Sequence, residues 1–147
     1  MSAENDIRKA SDKFYAALNS TLNGDCTPMA DVWSRNPEVS AMHPVGGTEI
    51  GWDEIRASWE NLAKICSNGT VELRDQRISV GEDLAYETGT EHVNVMIAKD
   101  QVQADLRVSN VYRREVSEWK MVHHHVDRNQ PMQTILSKLE TGGQTSG

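Results

Sequence analysis

Apolar residues recur at helical spacing from Glu4 to Leu22, with Ile7, Ala10, Phe14, Ala17, Leu18 and Leu22 on one face, which predicts an amphipathic helix. Asn23-Gly24-Asp25 stops it. Thr27-Pro28 has the form of an N-cap followed by proline, opening a short second helix that carries Met29, Val32 and Trp33 and ends at Asn36-Pro37. Val39 to Met42 reads as a short strand, and His43-Pro44-Val45-Gly46-Gly47 as a loop. From Trp52 a third helix sets Ile55, Trp59, Leu62 and Ala63 on one side. After Asn68-Gly69 the period changes to two, predicting strands over Val71–Val80, Leu84–Ala98, Val102–Arg114 and Trp119–Asp127. A short helix over Met132–Leu139 and a mobile Gly/Ser/Thr tail follow. Helices precede strands, so the class is α+β with an antiparallel meander, a single domain over 1–131 with 132–147 as its C-terminal helix and tail.

Register can be argued from the hairpins. A turn at Asp100-Gln101 makes the apolar sides of two strands coincide: Ile97 faces Ala104, Val95 faces Leu106, and Val93 faces Val108. A turn at Val116-Ser117 sets Tyr112 against Met121 and Arg114 against Trp119. Glu91, Asn110 and His123 then form a polar row on the face the helices cover, with His125 one step along. A slip of one residue in the last hairpin would put His124 in place of His123 and His125. Polar side chains on a covered face need partners or a wet cavity, so the row predicts a pocket lining.

The charge balance narrows the partners. With 15 Lys+Arg against 22 Asp+Glu the net charge is -7, which repels phosphate backbones and argues against nucleic acid. No run approaches a membrane span, and the first thirty residues lack the apolar stretch of a secretory signal. A cytoplasmic location is therefore expected, with no membrane partner. Cys26 and Cys66 read as free thiols.

His43 is the leading acid/base candidate, because imidazole titrates near neutrality. Asn110 can donate its amide to a developing oxyanion, and Glu91 can orient and charge-stabilise His123. Such a set suits proton abstraction next to a carbonyl, hence isomerisation, or dehydration of a hydroxy-carbonyl compound. Trp33, Trp52, Trp59 and Tyr112 are candidate walls for a hydrophobic ligand. His123, His125 and Asp127 offer a rival metal site of His-x-His and carboxylate type. The polar row accounts for His123 without one, and no cofactor is expected.

These residues resemble a known family. Lys13-Phe14-Tyr15-Ala16-Ala17-Leu18-Asn19, His43-Pro44-Val45-Gly46, Gly51-Trp52-Asp53-Glu54-Ile55-Arg56 and Trp119-Lys120-Met121-Val122-His123-His124-His125 are similar, in order and spacing, to the nuclear transport factor 2-like superfamily, in its SnoaL-like and ketosteroid-isomerase-like branch. The resemblance implies a cone of three N-terminal helices on a curved antiparallel sheet, a pocket between them, and a homodimer paired through the outer sheet face, where His92, Met96, Val122 and Val126 are expected. It implies that His43 stands where the isomerases carry an aspartate base, and Asn110 where they carry a second oxyanion donor. Phe14 takes the place of their tyrosine donor, with Tyr15 one residue on. Trp33, Phe14, Tyr15, Trp59, Tyr112 and His125 are the expected substrate contacts. The closing strand also resembles the association domain of calcium/calmodulin-dependent protein kinase type II. The expected function is an acid/base isomerase or dehydratase/cyclase on a small hydrophobic carbonyl compound, with a non-catalytic ligand-binding or oligomerisation module as the alternative.

Overall fold

The computed structural model describes residues 2–128 and 130–145. Helix α1 (Ala3–Thr21) is capped by Ser2, whose hydroxyl accepts from the Asn5 N–H at 3.2 Å. A five-residue 3₁₀ turn (Thr27–Asp31) and helix α2 (Trp52–Ile65) complete the layer over the sheet. The sheet has six strands: β1 (Ser40–Met42), β2 (Thr48–Ile50), β3 (Cys66–Val80), β4 (Leu84–Ile97), β5 (Asp100–Glu115) and β6 (Glu118–Asp127), in the order β2-β1-β6-β5-β4-β3. It is curved and does not close into a barrel. Helix α3 (Gln130–Thr145) follows, longer than the Met132–Leu139 segment expected. The tail expected to be mobile thus continues as helix to Thr145, and its last two residues lie outside the described ones.

The α+β class and the order of elements agree with the sequence reading, with three local differences. The second helix stops at Asp31, because Trp33 leaves it to bridge Met121 of β6 in parallel. Ser34 N–H donates to Met121 O and Met121 N–H to Val32 O, both at 3.0 Å. Cys26, not Thr27, is the N-cap of that turn, and Asp25 Oδ1 accepts from the Thr27 N–H and hydroxyl at 3.0 and 2.7 Å. Secondly, β2 is an added strand, paired antiparallel with β1, while β1 runs parallel to β6, so the sheet is mixed.

The third difference is register. The β4–β5 turn lies at Ala98-Lys99, with Ala98 at φ +53°, and Val95 pairs with Val102, Val93 with Ala104 and Glu91 with Leu106. Glu87, not Glu91, opposes Asn110. The expected turn at Asp100-Gln101 would keep every side chain on its face, since the two registers differ by an even step. Apolar alternation has period two and cannot choose between them. In β5–β6 the turn falls at Val116-Ser117 as expected, with Tyr112 against Met121 and Arg114 against Trp119. A bulge at Val122 then shifts the ladder by one: Val111 pairs with His123 and Asn110 with His124.

That bulge turns His124 and Val126 to the helix-covered face, buried at 1% and 3% exposure, and sends His123 and His125 outward. Val126 therefore leaves the outer-face group proposed for a dimer contact. A second bulge, in β3 between Arg74 and Arg77, has Asp75 at φ +56° and flips the phase so that Gln76 points inward beside Leu73 and Ile78. The core gathers Ile7, Phe14, Leu18, Met29, Trp33, Ile55, Trp59, Tyr112 and Met121 between α1, α2 and this face.

Close packing of α1's end on β3 rests on Gly69. A Cβ there would lie 2.4 Å from Leu22 Cβ and 2.8 Å from Leu22 O. Backbone oxygen cannot swing aside, so Gly69→Ala is expected to destabilise the fold by about 1–3 kcal/mol, read as a lowered midpoint in urea denaturation. An unchanged midpoint would contradict this packing.

Candidate functional site

A cavity of about 570 Å3 opens between α1, α2, the loop after β1 and the inward face of β4, β5 and β6. Its walls are apolar: Leu18, Leu22, Leu62, Val93, Val95 and Leu106 are among them. The polar groups at its surface are His43, Glu49, Ser58, Asn61, Glu91 and His124. No Lys or Arg is among the lining residues.

Strand geometry places two of these. Along β1 the buried Ala41 pairs with His124, so His43, two residues on, falls on the same face. The His43 and His124 rings are 6.2 Å apart, centre to centre. His43 stands edge-on to Trp59 at 4.9 Å, and its Nε2 lies 2.8 Å from Ser58 Oγ and 3.1 Å from Glu49 Oε1. Burial holds the His43 pKa below its usual 6.5, against the opposing pull of the Glu49 carboxylate.

Behind the cavity wall lies a buried polar network. Asn110 Nδ2 donates to Tyr15 Oη at 3.1 Å and to Glu87 Oε1 at 3.0 Å, while its Oδ1 is 2.6 Å from His124 Nδ1. Tyr15 donates in turn to Glu91 Oε2 at 2.9 Å. Tyr112 donates to Glu87 Oε1 at 2.6 Å and Gln76 Nε2 to Glu87 Oε2 at 2.8 Å. Two carboxyl groups are thus buried with no cation among these hydrogen-bond partners. Desolvation, with the nearby Glu87, raises the Glu91 pKa from 4.5 to about 7, only partly opposed by the Tyr15 hydrogen bond. Burial and the same carboxylates push both tyrosines upward, so they remain donors. His124 is held well below its ordinary value, first by burial and then by the other histidines, and stays neutral.

The residues singled out from sequence divide accordingly. His43, Glu91 and Trp59 line the cavity. Asn110, Phe14, Tyr15, Trp33 and Tyr112 are buried but lie outside its lining. The Phe14 ring packs 4.9 Å, centre to centre, from both the Tyr15 and the His124 rings. His123 is on the other sheet face, its Nδ1 2.7 Å from Ser40 Oγ, so the expected Glu91–His123 pair does not form. His125 lies outside too, in a shallow polar depression with Thr88, Thr90, Arg107, Ser109 and Asp127. Among the described residues no group of three or more His, Cys, Asp or Glu is arranged to hold a metal ion. The reason for both displacements is the Val122 bulge. Glu87, Gln76, Glu49 and Ser58 went unnoticed in the sequence. Glu87 alone had a signal there, sharing the inward parity of Ala85 and Glu91.

A model of the SnoaL-like domain matches residues 7–126. Among solved structures, a proposed dehydratase of the nuclear transport factor 2-like family from Streptomyces avermitilis superposes with a TM-score of 0.75 at 24% identity, covering 85% of this chain and 94% of that one. A nuclear transport factor 2-like superfamily protein from Salmonella enterica gives 0.75 at 21% identity, covering 86% and 92%. A proposed calcium/calmodulin-dependent protein kinase type II association domain from Thiobacillus denitrificans gives 0.65 at 27% identity, covering 84% and 94%. No curated protein matches the chain.

The raised Glu91 pKa links protonation to folding. A folded-state pKa of about 7 against 4.5 means the native state binds more protons between those values. Glu91 therefore contributes a stability that is present below pH 4.5 and lost as pH rises to about 7, on the order of 3 kcal/mol. His124 and His43, with lowered values, act in the opposite sense, losing stability as pH falls through 6.5. The difference in unfolding free energy between wild type and Glu91→Gln isolates the first effect. It is expected to move against the wild type as pH rises from about 4.5 to about 7. A pH-independent difference would contradict the assignment.

Proposed function

The chain belongs to the SnoaL-like family, and from that premise we propose that it is an acid/base isomerase or dehydratase/cyclase acting on a small, neutral, hydrophobic carbonyl compound. The observation that carries this reading is a buried carboxyl group, Glu91, lining one apolar cavity with the imidazoles of His43 and His124; burial pushes its pKa up to about 7. Near neutrality Glu91 holds a proton part of the time, and a neutral carboxyl can donate to a carbonyl oxygen where an enolate forms. His43, neutral and oriented by Glu49, is the base that removes the adjacent proton. Asn110 has both amide hydrogens engaged by Tyr15 and Glu87, so the oxyanion donor is Glu91 and not Asn110. The absence of Lys and Arg from the lining favours a neutral ligand over an anionic one. The dehydratase description of the Streptomyces avermitilis protein accords with this chemistry. The 27% identity to the association domain supports the alternative, a binding or assembly module without catalysis.

The two groups must be in opposite states, His43 unprotonated and Glu91 protonated. The profile of kcat/KM against pH is expected to be a narrow bell with its alkaline limb near 7. A panel of hydrophobic β,γ-unsaturated and β-hydroxy ketones supplies the substrates. His43→Ala should lower kcat about 10²–10⁴-fold without loss of folding. Glu91→Gln should keep part of the activity, since an amide still donates, and lose the alkaline limb. Ligands that bind without turnover across the panel would favour the non-catalytic module.

A further inference from the structure

We propose that Glu87, which does not reach the cavity, is a positioning residue that decides what the cavity recognises: acting through Asn110 it holds His124 as a hydrogen-bond acceptor, so that the ligand presents a hydroxyl group to His124. This deepens the acid/base reading by naming a ligand feature, and rests on it in taking the cavity as the ligand site and Glu91 as the donor to the carbonyl oxygen.

The argument is one of donors and acceptors. Glu87 is fully buried and offers its oxygens to three donors, Asn110 Nδ2, the Tyr112 hydroxyl and Gln76 Nε2. With Oε1 already accepting from Tyr112 and Oε2 from Gln76, Glu87 fixes which edge of the Asn110 amide faces it. Turned over, Asn110 would set its oxygen against Glu87 Oε1, an oxygen that already accepts from Tyr112. The amino edge therefore faces Glu87 and Tyr15, and the carbonyl faces His124 Nδ1 at 2.6 Å. A carbonyl only accepts, so Nδ1 carries the proton. A neutral imidazole has one N–H, and Nε2 is left with a lone pair. Among the described residues Nε2 has no hydrogen-bond partner, and His124 lines the cavity. Whatever meets it there must donate. In an apolar cavity without cationic side chains, the donor that fits is the hydroxyl of a neutral molecule. With Glu91 serving the carbonyl oxygen, the ligand class is a hydrophobic hydroxy-carbonyl compound, which points to dehydration over double-bond migration.

The tautomer is read directly from long-range proton–nitrogen correlations of ¹⁵N-histidine-labelled protein near neutral pH, without any ligand. His124 is expected as the Nδ1–H form. In Glu87→Gln the new amide offers N–H to Asn110, which can turn, and His124 should move toward the Nε2–H form. The matched probes 2-tetralol and 2-methoxytetralin then report recognition by titrating the His124 signal. The alcohol is expected to bind about tenfold tighter than the ether in wild type, the worth of one hydrogen bond, and to lose that preference in Glu87→Gln. An Nε2–H wild type, an ether that binds as well as the alcohol, or an alcohol that does not bind would overturn the proposal. Because the wild-type tautomer needs no variant, misfolding of Glu87→Gln leaves the decisive measurement standing. Failure of the acid/base reading registers separately, as a Glu91 carboxyl that does not titrate near 7.

Discussion

The Asn110 side chain is the junction on which the site depends. From β5 its amide joins three other elements, through His124 on β6, Tyr15 on α1 and Glu87 on β4, and through Tyr15 it reaches the cavity residue Glu91, also on β4. Burying two carboxyl groups, two phenols and an amide costs several kcal/mol unless every donor finds an acceptor. Here each does, and the network fixes the rotation of α1 over the sheet as well as the orientation of the site. Gln76, brought inward by the β3 bulge, extends it to Ser11 on α1.

Two bulges do more for the site than any regular element. Without the extra residue at Val122, His123 would stand where His124 stands and the Asn110 carbonyl would meet a different ring. Without the one at Asp75, Gln76 would face solvent and Glu87 would lose a donor. Bulges re-aim side chains by one position, and these two do so on the face that carries the chemistry.

The solved structures similar to this chain share its fold. At 24% and 21% identity their likeness fixes the backbone arrangement alone, and a fold of this kind does not by itself specify a reaction. This chain's own lining sets carboxyl groups and imidazoles in an apolar cavity, with no Lys or Arg. Burial and the neighbouring Glu87 push the Glu91 pKa up to about 7, and no Lys or Arg of the lining is there to pair with an anionic ligand.

The class, the order of helices and strands, the turn at Val116-Ser117 and the inward parity of Glu91 and Asn110 were all legible in the sequence, because periodicity and turn chemistry are local properties. His43 was legible as well, through its place before Pro44-Val45-Gly46. The pairing of Glu87 with Asn110, and the choice of His124 over His123 and His125, were decided only by tertiary structure. Apolar alternation accepts any even shift of a hairpin equally, so it leaves open the register of β4 on β5, in which the turn closes at Ala98-Lys99 and Glu87 meets Asn110. Three consecutive histidines carry no local mark of which one faces the core. The Val122 bulge settles it, where β6 must pair with β5 on one side and with β1 and Trp33 on the other.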